Sequence, residues 1–163
     1  MPLQSRLDRL LAGRPPELAE TVAATRMVFR VAHLLERHID AALAPHGIEM
    51  REYLALILIA DDAVEPLRPS DLGTTLDATR TQVTRLLDGL ERKGLAQRSP
   101  NAQDRRSLQL ALTPAAKALL KRAVPVVHAA YEASWREVSS TERARTLKTL
   151  RRLHGTLSGE DAE

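Results

Sequence analysis

The sequence has no cysteine. Disulfides, thiol redox sensing and cysteine-ligated zinc are excluded with it. Aromatic residues are nearly absent: Phe29, Tyr53, Tyr131 and Trp135 are the whole set. The core must therefore be built from Leu, Val, Ile and Ala, which suits packed helices. No run approaches the roughly 20 apolar residues of a membrane span. The opening segment, MPLQSRLDRLLAGRPP, holds no apolar stretch of signal-peptide length. A cytoplasmic protein with no membrane partner is expected. A large net charge is missing too, since 24 basic and 21 acidic residues leave +3.

What is present points to one folded domain. The chain has 163 residues, 44% of them hydrophobic and 28% charged, enough for a core of its own. The small positive excess is concentrated. Residues 80–106 carry seven basic side chains (Arg80, Arg85, Arg92, Lys93, Arg98, Arg105, Arg106) against Asp88, Glu91 and Asp104. That stretch nets +4 and the rest of the chain −1. A phosphate-contacting surface has this distribution, and so does a solvated helix face.

Apolar spacing predicts a short helix over residues 3–11, ended by Gly13 and Pro15-Pro16. A long helix follows from Glu17 to about Ala44, stopped by Pro45-His46-Gly47. A second, apolar helix covers about 49–61, and Asp61 to Pro69 reads as a loop. Two short helices come next, at about 69–76 and 79–93. Pro69 suits a first helical position. Thr79 and Gln82 form a capping box that marks where the second begins. Asp77-Ala78 is then a very tight turn. Two short helices, a tight turn and a basic second helix match a helix-turn-helix.

Gly94 ends the basic helix. Leu95–Arg98 and Leu108–Leu112 can pair as strands around SPNAQDRRS, a β-hairpin with a basic tip. Thr113 caps a helix to about Arg136, with Pro125 expected to kink it. Ser139 and Glu142 form a second capping box, opening a last helix that ends near Gly155. The tail after it is expected to fray. The fold class is mainly α: a winged helix-turn-helix with a two-stranded wing. No repeat or long linker divides the chain.

A reading helix needs polar or basic side chains on its first turns, because that end enters the major groove. Thr79, Arg80, Thr81, Gln82, Thr84 and Arg85 stand there, and Ser70 stands at the start of the preceding helix. Val83, Leu86, Leu87 and Leu90 give the same helix an apolar anchoring face. Arg105 and Arg106 on the wing suit the narrow, electronegative minor groove. Asp104 beside them can orient one arginine, or form only a weak surface ion pair.

The segment TRLLDGLERKGL (Thr84 to Leu95), then Arg98, then DRRSLQLALTP (Asp104 to Pro114) resembles the MarR family of bacterial transcription regulators. The resemblance covers about residues 17–157. It implies a homodimer joined by the N- and C-terminal helices and bound to a palindromic DNA operator. It also implies repression relieved by a small effector, often an aromatic carboxylate or phenol. One MarR-type domain would then span the chain, with dimerisation helices at 1–46 and 113–157 and a DNA-binding lobe at 47–112. By the matching motif, Arg106 enters the minor groove with Asp104 as its partner. Thr79, Thr81, Gln82, Thr84 and Arg85 lie where relatives touch bases and phosphates. Three positions depart from the family pattern: Arg68 replaces a Thr or Ser cap, Gly73 replaces an Ala, and Pro125 interrupts the fifth helix.

The family's effector pocket is lined by the first, second and fifth helices. On the first, Val22, Arg26, Phe29 and His33 share one stripe, and an Arg with a His there suits a carboxylate. Arg30 and Tyr53 are further candidates. The same residues also fit a dimer ion pair and a core histidine. The five histidines (33, 38, 46, 128, 154) lack zinc-like spacing, so neither metal nor cofactor is expected. No nucleophile–base pair, phosphate loop or paired carboxylates point to an enzyme. Two other readings stay open: an effector-independent or architectural DNA binder, and a winged-helix protein-interaction module.

Overall fold

The computed structural model describes residues 13–60, 67–100 and 108–159. The chain divides into two compact units after His38. The helix expected over residues 3–11 and the wing tip lie outside the described residues.

Helix α1, Pro16–Leu43, begins in the first unit with Glu17 in its first turn, where the helix dipole favours an acid. Within that unit the helix buries no residue. Leu18, Met27, Val28, Val31 and Leu34 are exposed, and Phe29 shows 70% of its surface.

The second unit holds the core. The last turns of α1 bury Ile39 and Leu43 there. A 3₁₀ turn, Ala44–His46, ends at Gly47, whose φ of 71° suits glycine. Helix α2, Met50–Ala60, starts where Asp40 Oδ1 accepts the Met50 N–H at 2.7 Å. Helices α3, Pro69–Thr75, and α4, Arg80–Arg92, follow. Strands β1, Ala96–Pro100, and β2, Leu108–Leu112, pair antiparallel with Ala96 opposite Leu112 and Arg98 opposite Leu110. Helices α5, Pro114–Ser134, and α6, Ser140–Ser158, complete the order. Leu43, Leu56, Leu72, Leu87, Leu90 and Val127 are fully enclosed. Truncating one such leucine to alanine costs about 2–5 kcal/mol.

Two sequence expectations need correcting. Strand β1 starts at Ala96, because Leu95 still belongs to the helix end: its N–H bonds to Leu90 O at 2.9 Å. The last helix runs through Gly155 to Ser158 and stops at Gly159, with φ 71°. An interior glycine weakens a helix by about 1 kcal/mol without ending it. Before α3, Leu67 O accepts the Leu110 N–H at 3.1 Å, which ties that end of the loop to β2 of the two-stranded sheet. Helix α5 continues through Pro125. No residue of α6 is buried, and Leu147, Leu150, Leu153 and Leu157 are exposed.

Candidate nucleic-acid interface

The site begins with the turn between α3 and α4. Asp77 adopts φ 47°, a left-handed conformation that aspartate tolerates better than most residues. The turn closes when the Ala78 N–H donates to Gly73 O at 2.9 Å. A Cβ on Gly73 would meet Ala78 O at 3.1 Å and Val83 Cγ2 at 3.6 Å. The glycine that departs from the family pattern thus sits where the turn leaves little room.

Thr79 fixes the start of α4. Its Oγ1 accepts the Gln82 N–H at 3.3 Å, and Gln82 Oε1 accepts the Thr79 N–H at 2.8 Å. The Thr79 hydroxyl also donates to that Oε1 at 3.0 Å. The capping box expected from sequence is complete, with a consequence for reading. Gln82 Oε1 is occupied, so only its amide N–H groups are left for a base edge. Bidentate pairing with adenine needs both ends of the amide.

Beyond the cap, α4 has two faces. Val83, Leu87 and Leu90 are buried. Arg80, Thr81, Thr84 and Arg85 are exposed. Thr84 Oγ1 donates back to Arg80 O at 2.9 Å. The side chains of Arg80, Thr81 and Arg85 have no hydrogen-bond or ion-pair partner among the described residues. They stand at a helix N-terminus, whose dipole also attracts anions.

Helix α3 opens differently. Arg68 cannot accept a hydrogen bond, so its box is one-sided: Asp71 Oδ2 takes the Arg68 N–H at 2.9 Å. Ser70 is exposed and its hydroxyl donates to Asp71 Oδ1 at 3.3 Å. Between α3, α4 and β1 runs an open groove of about 770 Å³, lined by Arg68, Ser70, Thr74, Arg80, Thr84 and Arg98 among others. Arg68 and Thr74 were not among the sequence candidates. Arg68 stood out only as a poor cap.

Arg98 behaves differently from Arg80 and Arg85. Its guanidinium lies 2.7 Å from Asp88 Oδ1 and 3.3 Å from Glu91 Oε2, and it also donates to Thr84 O at 3.3 Å. Its own N–H reaches Glu91 Oε1 at 3.1 Å. Two carboxylates of α4 therefore neutralise the arginine of β1, and the wing is tied to the reading helix. A second tie holds the other end of α4. Lys93 Nζ donates to Glu52 Oε2 at 2.7 Å and to Gly47 O at 2.9 Å, with the Glu52 side chain only 12% exposed. Sequence reading missed this pair, since the partners lie far apart in the chain.

The wing candidates Asp104, Arg105 and Arg106 lie outside the described residues. The effector candidates divide between the two units. Arg26 is half-buried, and Arg30 and His33 are exposed, all on α1. None of the three has an ion-pair partner among the described residues. Tyr53 is buried in the second unit, where burial and then the neighbouring Tyr131 push its phenol above the usual 10.0.

Residues 48–108, which hold the turn, the reading helix and β1, match the profile of the MarR family. The HTH-type transcriptional repressor Mb2911 of Mycobacterium bovis is 30% identical over 69% of this chain and 80% of its own length. The chain belongs to the MarR family. Among MarR-family structures, a point mutant of Escherichia coli MarR complexed with operator DNA shares the fold. Its TM-score is 0.76, with 24% identity over 82% of this chain and 95% of that one. CouR from Rhodococcus jostii RHA1, bound to p-coumaroyl-CoA, gives a TM-score of 0.69 and 27% identity over 78% and 88%. The curated relatives that match are transcriptional repressors and regulators, not enzymes. No described helix is long and apolar enough to cross a membrane.

Proposed function

We propose that this protein is a homodimeric, sequence-specific DNA-binding repressor, acting in the cytoplasm and released from a palindromic operator by a small aromatic or phenolic acid. The observation that carries the reading is the first turns of α4. There a capped helix N-terminus presents Arg80, Thr81 and Arg85, unpartnered among the described residues, over a buried apolar anchor. Any surface helix shows a polar face to solvent, but arginines left uncompensated at a helix N-terminus oppose the dipole and suit a bound phosphate. The operator complex of MarR supports the DNA reading, and the ligand complex of CouR supports an effector.

The second copy is argued from exposed apolar surface. Phe29 and its neighbours on α1, and Leu147, Leu150, Leu153 and Leu157 on α6, face solvent in the single chain. Apolar patches of this kind mark interfaces. Residues 1–46 and 113–157 would join the copies and residues 47–112 would form the DNA-binding lobe. Two reading helices about one DNA turn apart then contact successive major grooves. Arg105 and Arg106 would reach the flanking minor grooves, with Asp104 orienting Arg106. An effector held by Arg26, Arg30, His33 or Tyr53 acts by favouring another lobe spacing, a population shift that needs no chemistry.

The test is a gel shift on the DNA upstream of the protein's own gene, across a salt series. Retardation that weakens steeply with salt is expected. Binding insensitive to salt, or unchanged in Arg85→Ala and Arg106→Ala, overturns the interface. Sedimentation checks the dimer: Leu150→Glu with Leu153→Glu should give monomers.

A further inference from the structure

Gln82 is exposed on the first turn of α4, and its amide is held one way round. The side-chain atom that faces the Thr79 backbone nitrogen lies 2.8 Å from it. A backbone N–H can only donate, so that atom must be Oε1 and not Nε2. The Thr79 hydroxyl agrees: it accepts the Gln82 N–H at 3.3 Å and gives its one hydrogen to Oε1 at 3.0 Å. Oε1 has two lone pairs, and these two donors take both.

Nε2 is the free end. Its two N–H groups have no partner among the described residues. No acidic residue stands in the first turn of α4 to compete for them. Because Gln82 reaches back to the N-cap, its amide sits at the end of the helix that enters a major groove.

The four bases present different edges to such a group. Guanine shows two neighbouring acceptors, O6 and N7. Thymine shows one, O4, beside a methyl. Adenine shows N7 beside its N6 amino donor, and cytosine shows only its N4 amino donor. A glutamine free to use both amide ends pairs with adenine, accepting from N6 and donating to N7. Gln82 could do so only by giving up both bonds that Oε1 holds. An amide that offers donors alone meets acceptors throughout the guanine edge and an opposing donor at adenine and cytosine.

We propose that Gln82 reads guanine, once in each operator half-site, through Nε2. The inference rests on the regulator reading and deepens it: the cap that starts the helix also selects the base.

The experiment selects sequences from a randomised duplex pool with the full chain, and with its Gln82→Glu and Gln82→Ala variants. Fluorescence anisotropy then measures each base pair in turn at the position the variants alter. Replacing guanine there should weaken wild-type binding about fivefold or more, cytosine most. Glutamate keeps the box, since one carboxylate oxygen accepts the Thr79 N–H, but it turns an acceptor to the base. Its preference at that position should move from guanine to cytosine, whose N4 amino group donates to carboxylates, and the other positions should keep theirs. Alanine should level the four bases there.

Any base other than guanine preferred by wild type at that position overturns the proposal, and adenine would show that Oε1 had left the cap. A loss in the variants that is equal on all four bases also overturns it, since that marks a phosphate contact. So do preferences unchanged in Gln82→Glu. These outcomes leave the regulator reading standing, because wild type has still sorted the pool. A pool in which wild type enriches no sequence overturns both.

Discussion

Arg98 of β1 and Asp88 of α4 are joined at 2.7 Å, so this arginine of the hairpin is neutralised by the reading helix. The pair is partly exposed, with side-chain exposures of 22% and 50%, and water screens it. Its value is positional: β1 leaves α4 at a set angle.

Removing that arginine should therefore differ from removing a free one. Arg85→Ala should lower the slope of log affinity against log salt by about 1, the signature of a lost phosphate contact. Arg98→Met should reduce operator affinity with a smaller change of slope. Pairing it with Asp88→Asn should recover part of the loss. Equal slopes for Arg85→Ala and Arg98→Met would show that Arg98 lets go of Asp88 to bind phosphate.

Gln82 carries two roles that substitution can separate. Gln82→Glu keeps the capping box, because a carboxylate accepts the Thr79 N–H as the amide oxygen does. Thermal stability should stay within about 0.5 kcal/mol. Operator affinity should fall, since amide donors are replaced by a negative charge. Thr79→Ala should do the reverse first, costing about 1 kcal/mol of stability. Circular dichroism melts and gel shifts on the same two variants make the comparison.

The turn below α4 should resist a side chain at Gly73. Gly73→Val places its Cβ 3.1 Å from Ala78 O and adds two methyls beside Val83. Overpacking of this kind costs about 1–3 kcal/mol. Melting temperature and operator affinity should fall together. A variant as stable as wild type would show that the turn can move.

Alkaline pH should weaken the fold through Tyr53. Its phenol titrates above 10.0 in the folded chain, because burial and Tyr131 disfavour the phenolate. A raised pKa means stability that is whole below about pH 10 and is lost as pH rises through the folded value. Tyr53→Phe should flatten that loss. Denaturant melts between about pH 9 and 11 measure it.

Much of this was legible because local rules and the fold agree. The box at Thr79 and Gln82, the left-handed glycines Gly47 and Gly94, and Thr113 at the head of α5 are short-range signals. Errors arose where a short-range signal competed with another. Gly155 looked like a stop, but the helix ran on to Gly159. The state of charged side chains was not legible at all. Arg98 and Arg85 look alike in sequence, yet only tertiary placement gives the first two carboxylates. Glu52 and Lys93 meet across 41 positions, a distance no periodicity reports.

One hydroxyl closes the base of the wing. Thr113 Oγ1 accepts the Ala116 N–H at 3.1 Å, starting α5, and donates to Gly94 O at 2.7 Å, where α4 has just ended. Thr113 N–H also reaches Leu95 O at 3.2 Å. The hairpin is thus a loop with a stapled neck. Its length is uncoupled from the rest of the protein: doubling the tip adds only about 0.6 kcal/mol of closure entropy. Residues added between Pro100 and Leu108 should change how far the wing reaches along DNA and leave the melting temperature nearly untouched. Reach and stability are then separate variables, free to diverge among proteins that share this neck.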